Sequence, residues 1–254
     1  QFHITAYQAH PYGRPIVGWM NDLENMTAAD AREWYKNWYA PNNATVVVVG
    51  DVQADEVYKL AQQYFGPLKP HVLPARKPQQ EPTQIGERRI TVKAQAKLPY
   101  MMMGFHVPPI LSDSPQEDAY ALEILAAVLS GNASARLNQH LVREKQIAID
   151  ADAGFDMLQR GKQSLFVLDG TPSEGKTVAE LEQAIWQELE SIQQSGITEE
   201  ELLRVKAQVI AADVYQRDSM FYQAMQIGTL ETIGYSHKML KDYPARLGAV
   251  TAQQ

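Results

Sequence analysis

The residues of this chain best suited to hold a metal or move a proton are six histidines, at positions 3, 10, 71, 106, 140 and 237. Zinc hydrolases need such residues paired. Two His one helical turn apart, in H-E-x-x-H or its inverse H-x-x-E-H, bind the ion, and the Glu between them activates water. None of the six stands in either pattern. No metal site and no catalytic residue is therefore expected here. His140 and Glu144 are four residues apart on a predicted helix and share a face. As ligands they would need a third residue that the spacing does not supply, so a solvated helix contact is expected. His106 lies in an apolar run and His10 in a turn-rich loop, and both read as packing residues. Arg136 and Arg143 flank the same predicted helix, and a guanidinium fork suits a carbonyl or carboxylate. Ser130 and Ser134 lack the G-x-S-x-G setting, and Gly131-Asn132 lacks the Gly-Lys-Ser/Thr ending of a phosphate loop.

The elements that must position these groups fall in two parts. In the first, TAADAREWYKNWYAPNNATVVVVGD at 27–51 reads as a capped helix, a turn and a strand. Thr27 is a good N-cap, with Asp30 three residues on. Trp34, Tyr35, Trp38 and Tyr39 give a wide aromatic face. Pro41 stops the helix, and Val46–Val49 is the β-branched run of a strand covered on both faces. The spacing of Val57, Leu60, Ala61 and Tyr64 predicts a second helix from about Gln53 to Phe65. Residues 2–9 read as the end of a helix, and 10–25 as loop. Prolines at 67, 70, 74, 78 and 82 mark residues 66–85 as a semi-rigid linker.

The second part opens on strands at 89–94 and 100–107. An exposed strand edge can capture an extended peptide, but ordinary pairing within the domain is the favoured reading. Ser114 with Pro115 would start a helix that runs to Ser130. A shorter helix covers 134–145. Residues 147–155 and 164–170 look like paired strands. Helices at 175–194, 199–217 and 219–233 follow, the second with Thr198 and Glu201 as a capping box.

Composition bounds the function classes. The 254 residues are 45% hydrophobic, enough for a real core, and carry a net charge of −7 without a basic block. A nucleic-acid footprint is not supported. There are no cysteines, which excludes disulfides, thiolate metal sites and a Cys nucleophile. No apolar run approaches the ~20 residues of a membrane span.

An internal repeat links the parts. Leu23, Thr27 and Ala28 match Leu247, Thr251 and Ala252 at one offset of 224 residues, and Gln254 stands where Asp30 stands. A match of this period reads as a duplicated domain, with a helix and strand like 27–51 expected after Gln254. Chance likeness of two helix entries is the plainer alternative.

Three segments carry a resemblance: HPYGRPIVG at 10–18, MTAADAREWYKNWYAPNNATVVVVGDV at 26–52 with YFGPL at 64–68, and LSGNASARLNQHLVREKQIAIDADAGF at 129–155. The chain resembles the M16 zinc metallopeptidases (insulinase, pitrilysin and mitochondrial processing peptidase). The resemblance implies an α+β fold, a mainly antiparallel sheet with helices packed on one face. It places 1–65 at the end of a catalytic-type domain and 86–254 in the family's inactive-type C-terminal domain, cut short at its end. The parent would be a zinc endopeptidase. This chain, lacking HxxEH, would be inactive alone, forming part of the peptide chamber and docking on a catalytic M16 domain or subunit. Arg143, and Arg136 beside it, are then candidate substrate-binding residues. The plainer readings pair Arg143 with Glu144 or another acid and assign Arg136 to the turn around Ser130–Ser134. The family's tyrosine after this arginine is replaced by Ile149, or by Asp150 if the register slips by one. That departure leans toward a wholly inactive scaffold or assembly subunit as the rival reading. A free-standing peptide-binding module is a third. A periplasmic location is expected, as is a homodimer in which Thr45–Val49 of one copy completes the sheet of 89–170 in another, or in its own chain.

Overall fold

The computed structural model describes residues 1–111, 116–159 and 161–254. The helix start expected at Ser114-Pro115 lies outside the described residues. Two compact units divide the chain: residues 1–92 with 223–228, and residues 93–222 with 229–254.

The first unit holds α1 (Phe2–Ala6), α2 (Met20–Asn25), α3 (Ala28–Trp38) and α4 (Ala54–Phe65). α3 starts where the sequence places it. Thr27 and Asp30 form a reciprocal capping box, with the Thr27 N–H donating to Asp30 Oδ2 at 2.7 Å and the Asp30 N–H to Thr27 Oγ1 at 3.3 Å. The Glu81 carboxylate accepts three consecutive backbone N–H groups, from Gln8, Ala9 and His10, at 2.6, 2.8 and 2.9 Å. Arg88 donates to the carbonyls of Thr5 and Ala6. The Pro-rich stretch is thereby tied to the chain's first residues. His10 is a packing residue: its Nδ1 accepts from the Tyr12 N–H at 3.3 Å, and its ring lies against Tyr7 and Tyr12. Residues 20–25, read as loop, are helical.

Two expected strands are not formed. Val46–Val49 is extended without ladder bonds, and Val46 and Val48 are exposed. Residues 89–94 likewise belong to no sheet, with Ile90 and Val92 about half exposed. β-branched composition favours a pleated surface but does not supply the neighbour that takes up the backbone groups. Thr45–Val49 belongs to no sheet among the described residues.

The second unit is built on one antiparallel sheet of β1 (Met101–Val107), β2 (Ala148–Phe155) and β3 (Ser164–Pro172), with β3 in the centre. Its register pairs Met101 with Gly170 and Phe105 with Phe166 on one side, and Ala151 with Gly170 on the other. The inner face, from Met101, Ala148, Ala151, Phe166 and Leu168, packs on α5 (Gln116–Ser130), a π-helical segment (Asn138–Glu144) and α6 (Val178–Ser195) through Leu129, Leu141, Leu181 and Ile185. α5 is buried on its other side too. Tyr120, Ile124 and Val128 meet Leu202 and Val205 of α7 (Glu199–Gln216) and Leu247 of α9 (Met239–Ala249). That two-sided burial matches its nearly continuous apolar sequence. α8 is Met220–Ile233. The fold is the expected α+β arrangement.

The two matched segments share a local geometry, which both the duplication and the chance reading allow. Met26 and Val250 both leave a helix in extended conformation (φ −65°, ψ 131° and φ −56°, ψ 135°), each donating its N–H to the matched leucine, Leu23 or Leu247. Thr251 and Gln254 then repeat the capping box, with N–H to side-chain oxygen distances of 2.9 and 3.4 Å. The Thr198 box, by contrast, is only half made. Thr198 Oγ1 accepts the Glu201 N–H at 3.1 Å, but the Glu201 carboxylate is turned to Arg136.

Candidate functional site

The segment that carries Arg143, and that Arg136 immediately precedes, is a π-helix (Asn138–Glu144) rather than the α-helix its sequence suggests. The Lys145 N–H donates to the His140 carbonyl, five residues back, at 2.9 Å. The wider turn breaks the four-residue alignment on which the His140–Glu144 pairing rested. Glu144 accepts instead from Gln139 at 3.0 Å. His140 Nδ1 meets Glu188 Oε2 of α6 at 2.9 Å, and Lys145 Nζ lies 3.9 Å from the other oxygen of Glu188. Glu188 is 6% exposed, so this pair anchors the π-helical segment to α6.

The two arginines have different fates. Arg136 forks onto Glu201, Nε to Oε1 at 2.9 Å and an Nη to Oε2 at 2.6 Å, and also reaches the Gly196 carbonyl at 3.3 Å. The pair is mostly buried, at 17% and 16% side-chain exposure. The bond to Arg136 holds Glu201 below its ordinary pKa, against the opposing effect of burial, and Arg136 is raised in turn. Arg136 therefore joins the start of the π-helical segment to the start of α7, and its donors are committed to structure. Arg143 is exposed and makes no hydrogen bond or ion pair among the described residues. It is not paired with Glu144. Its fork is open to a carbonyl or carboxylate from outside.

The position following these arginines lies in a β-bulge. Ala148 pairs with Pro172 and Asp150 with Thr171, so Ile149 is the extra residue. The one-residue slip left open in the sequence is built into the strand, and Ile149 is 52% exposed.

The outward face of the sheet carries residues that motif reasoning passed over. Asp152 and Asp169 are cross-strand partners on β2 and β3, and Asp150 stands two residues along β2. Tyr100 donates to Asp169. Partial burial, that bond and the neighbouring carboxylates push the Tyr100 hydroxyl up to about 12. The signal was present in the alternation Asp-Ala-Asp of 150–152, which on a strand sends both carboxylates to one face. His106 lies opposite Leu165 on β1. Among the described residues no three His, Cys, Asp or Glu gather as a metal-binding group. Nor is any described helix long and apolar enough to cross a membrane.

The family model of the peptidase M16 inactive domain matches residues 25–209. This chain belongs to that family. Among curated relatives of this inactive domain, "Zinc protease PqqE" of Helicobacter pylori is 32% identical over 210 residues, 81% of this chain and 46% of that protein. The chain thus spans about half the length of such relatives. A solved protease structure from Helicobacter pylori superposes with a TM-score of 0.90 at 27% identity, over 99% of this chain and 60% of that one. A peptidase M16 inactive domain from Pseudomonas fluorescens shares the fold, with a TM-score of 0.75 at 19% identity over 97% and 57% of the two chains.

Proposed function

We propose that this M16 inactive domain forms the non-catalytic wall of the peptide chamber of a zinc endopeptidase and docks on the catalytic half, which supplies the zinc. The carrying observation is the state of α3 and α4. Neither contains a buried residue, although Trp34 and Tyr35 on α3, Tyr39 at its end, and Tyr58 and Tyr64 on α4 are large apolar side chains, and all five are more than half exposed. An apolar surface of that extent marks an interface. Arg143 supports the chamber reading, because its open guanidinium can hold a peptide carbonyl without desolvating an existing pair. In the test, the chain is incubated with a quenched fluorescent peptide, alone and with an HxxEH-bearing catalytic half. Cleavage is expected only in the mixture, and only with zinc. Chelator-sensitive cleavage by the chain alone overturns this reading. A periplasmic location belongs to the same proposal, and cell fractionation tests it.

A scaffold or assembly subunit is the second reading, and the Ile149 bulge favours it, since no tyrosine stands beside the arginine segment. An intact HxxEH in the catalytic half, with activity lost in Arg143→Ala, counts against the scaffold. Exchange of Thr45–Val49 between two copies is the finer proposal for self-association. The unladdered Val46–Val49 run supports it, and a monomer at all concentrations by sedimentation overturns it.

A further inference from the structure

The core-facing stripe of α6 is apolar at Leu181, Ala184 and Ile185 and then ends on a carboxylate, the buried Glu188. A charge at such a position gives up its hydration, and a leucine there would pack without that cost. Two partners offset the loss, and in sequence they stand on either side of Arg143. His140 Nδ1 lies 2.9 Å from one oxygen of Glu188, and Lys145 Nζ lies 3.9 Å from the other. The backbone they enclose departs from ordinary helix twice. It makes the wide turn that brings the Lys145 N–H onto the His140 carbonyl, and Gln146, directly after it, is left-handed with φ 51°. Among the described residues Gln146 is the one non-glycine with positive φ. The Ile147 N–H reaches back to the Leu141 carbonyl, and the Ser173 N–H donates to the Ile147 carbonyl, both at 2.8 Å, which closes the segment. A left-handed residue with a Cβ persists where its surroundings over-determine it, a condition concentrated at sites that clamp a ligand.

We propose that Glu188 is the positioning residue of Arg143: it grips the π-helical turn at both ends and so fixes the direction in which the exposed guanidinium meets a peptide carbonyl. The inference rests on the peptide-chamber reading, in which Arg143 is the group that touches peptide. Leu141, fully buried, already seats the segment on the core. An apolar contact is non-directional, however, and leaves the turn free to rock about it. Polar contacts have preferred directions, and two of them from one carboxylate remove that freedom. Glu188 itself is too deeply buried to meet a substrate, so its influence on peptide passes through the turn that carries Arg143.

The test measures kcat and KM for a quenched fluorescent peptide in the zinc-loaded mixture of this chain with an HxxEH-bearing catalytic half. Four chains are compared: unaltered, Arg143→Ala, Glu188→Gln and the double variant. Glu188→Gln is expected to raise KM at least about fivefold with kcat within about twofold, the same split as Arg143→Ala, because both weaken one contact to bound peptide. In the Arg143→Ala chain the same replacement should move KM by less than about twofold, since the group it positions is gone. A purely structural Glu188 gives a different split: fewer folded chains lower kcat and leave KM where it was. That result overturns the proposal, as does an unchanged KM or a KM effect that adds in full to that of Arg143→Ala. Should Glu188→Gln fail to fold, Lys145→Ala, at the exposed end of the grip, is measured against the same outcomes. If Arg143→Ala itself leaves both constants unchanged, Arg143 touches no peptide, and its place in the chamber falls together with this proposal. A raised KM in Arg143→Ala beside an unaltered one in Glu188→Gln ends the positioning role alone.

Discussion

Replacing Arg136 by alanine is expected to destabilise the second unit by about 2–3 kcal/mol without touching peptide binding. The magnitude follows from three features of the pair. Its two bonds to Glu201, at 2.9 and 2.6 Å, are charge-assisted, a type that contributes about 1.5–3 kcal/mol each in favourable settings. At 17% and 16% exposure the two side chains are mostly out of water, which lifts the pair above the ~0–1 kcal/mol of surface ion pairs. The residual exposure lets water reach the orphaned Glu201, which keeps the loss below the ~3–5 kcal/mol of a fully buried broken pair. Trp186 is the one tryptophan of the second unit, so urea titrations followed by its fluorescence, with Trp19, Trp34 and Trp38 changed to Phe, report that unit alone. A double-mutant cycle with Glu201→Gln isolates the pair, and a coupling of about 1.5–3 kcal/mol is expected. A coupling under about 0.5 kcal/mol would refute the structural assignment. So would an Arg136→Ala chain of full stability and weakened peptide affinity.

The same pair has a pH signature. Arg136 holds Glu201 below its ordinary value of 4.5, so the pair's contribution is complete above that pH and lost as pH falls through the depressed value; the acid limb of the stability profile should flatten in Arg136→Ala. Arg143→Ala, at an exposed site without partners among the described residues, should change stability by no more than about 0.5 kcal/mol, while lowering peptide turnover in the mixture with the catalytic half. Leu168→Ala removes a fully buried side chain from the central strand, and urea unfolding should show a loss of about 2–5 kcal/mol. Gly170→Ala brings a methyl group within 2.7 Å of the Asp150 carbonyl and 3.3 Å of Leu181, across from the bulge. A loss of about 1–3 kcal/mol is expected, and an unchanged denaturation midpoint would show that β2 can shift to make room.

What could be read from the sequence was what neighbours in the chain decide. Thr27 caps its helix with the N3 carboxylate of Asp30, as local chemistry requires, whereas the box read at Thr198 is half made because Arg136 takes the Glu201 carboxylate. The three strands of the second unit were found because each has a partner close in sequence or a dense apolar run. Val46–Val49 and Ile90–Val92 have the same local character, and failed because a ladder is made by two strands and sequence shows one at a time. α9 was missed for the converse reason. Pro244 lies inside it and argues against a helix, yet Leu247 is fully buried and Tyr243 is held by Glu123, so packing overrides propensity. That Arg143 lies on the surface follows from its type. The commitment of Arg136 to Glu201, 65 residues away, and the gathering of Asp150, Asp152 and Asp169 were tertiary events.

The five-residue step at His140–Lys145 also sets what kinds of change this region can absorb. A π-turn is an α-turn with one residue added, so deleting a residue between 139 and 144 would restore ordinary helical spacing while keeping a helix. The flanking residues would keep their phase, but the segment between them would close by one residue, so Arg143 would be re-aimed relative to the contact of Lys145 with Glu188. Point substitutions at exposed positions of this segment should be tolerated one by one, whereas a single-codon deletion, which a helix of ordinary pitch could accommodate near its end, would uncouple the arginine from its anchor. The length of this segment, rather than the identity of most of its residues, is the quantity under constraint.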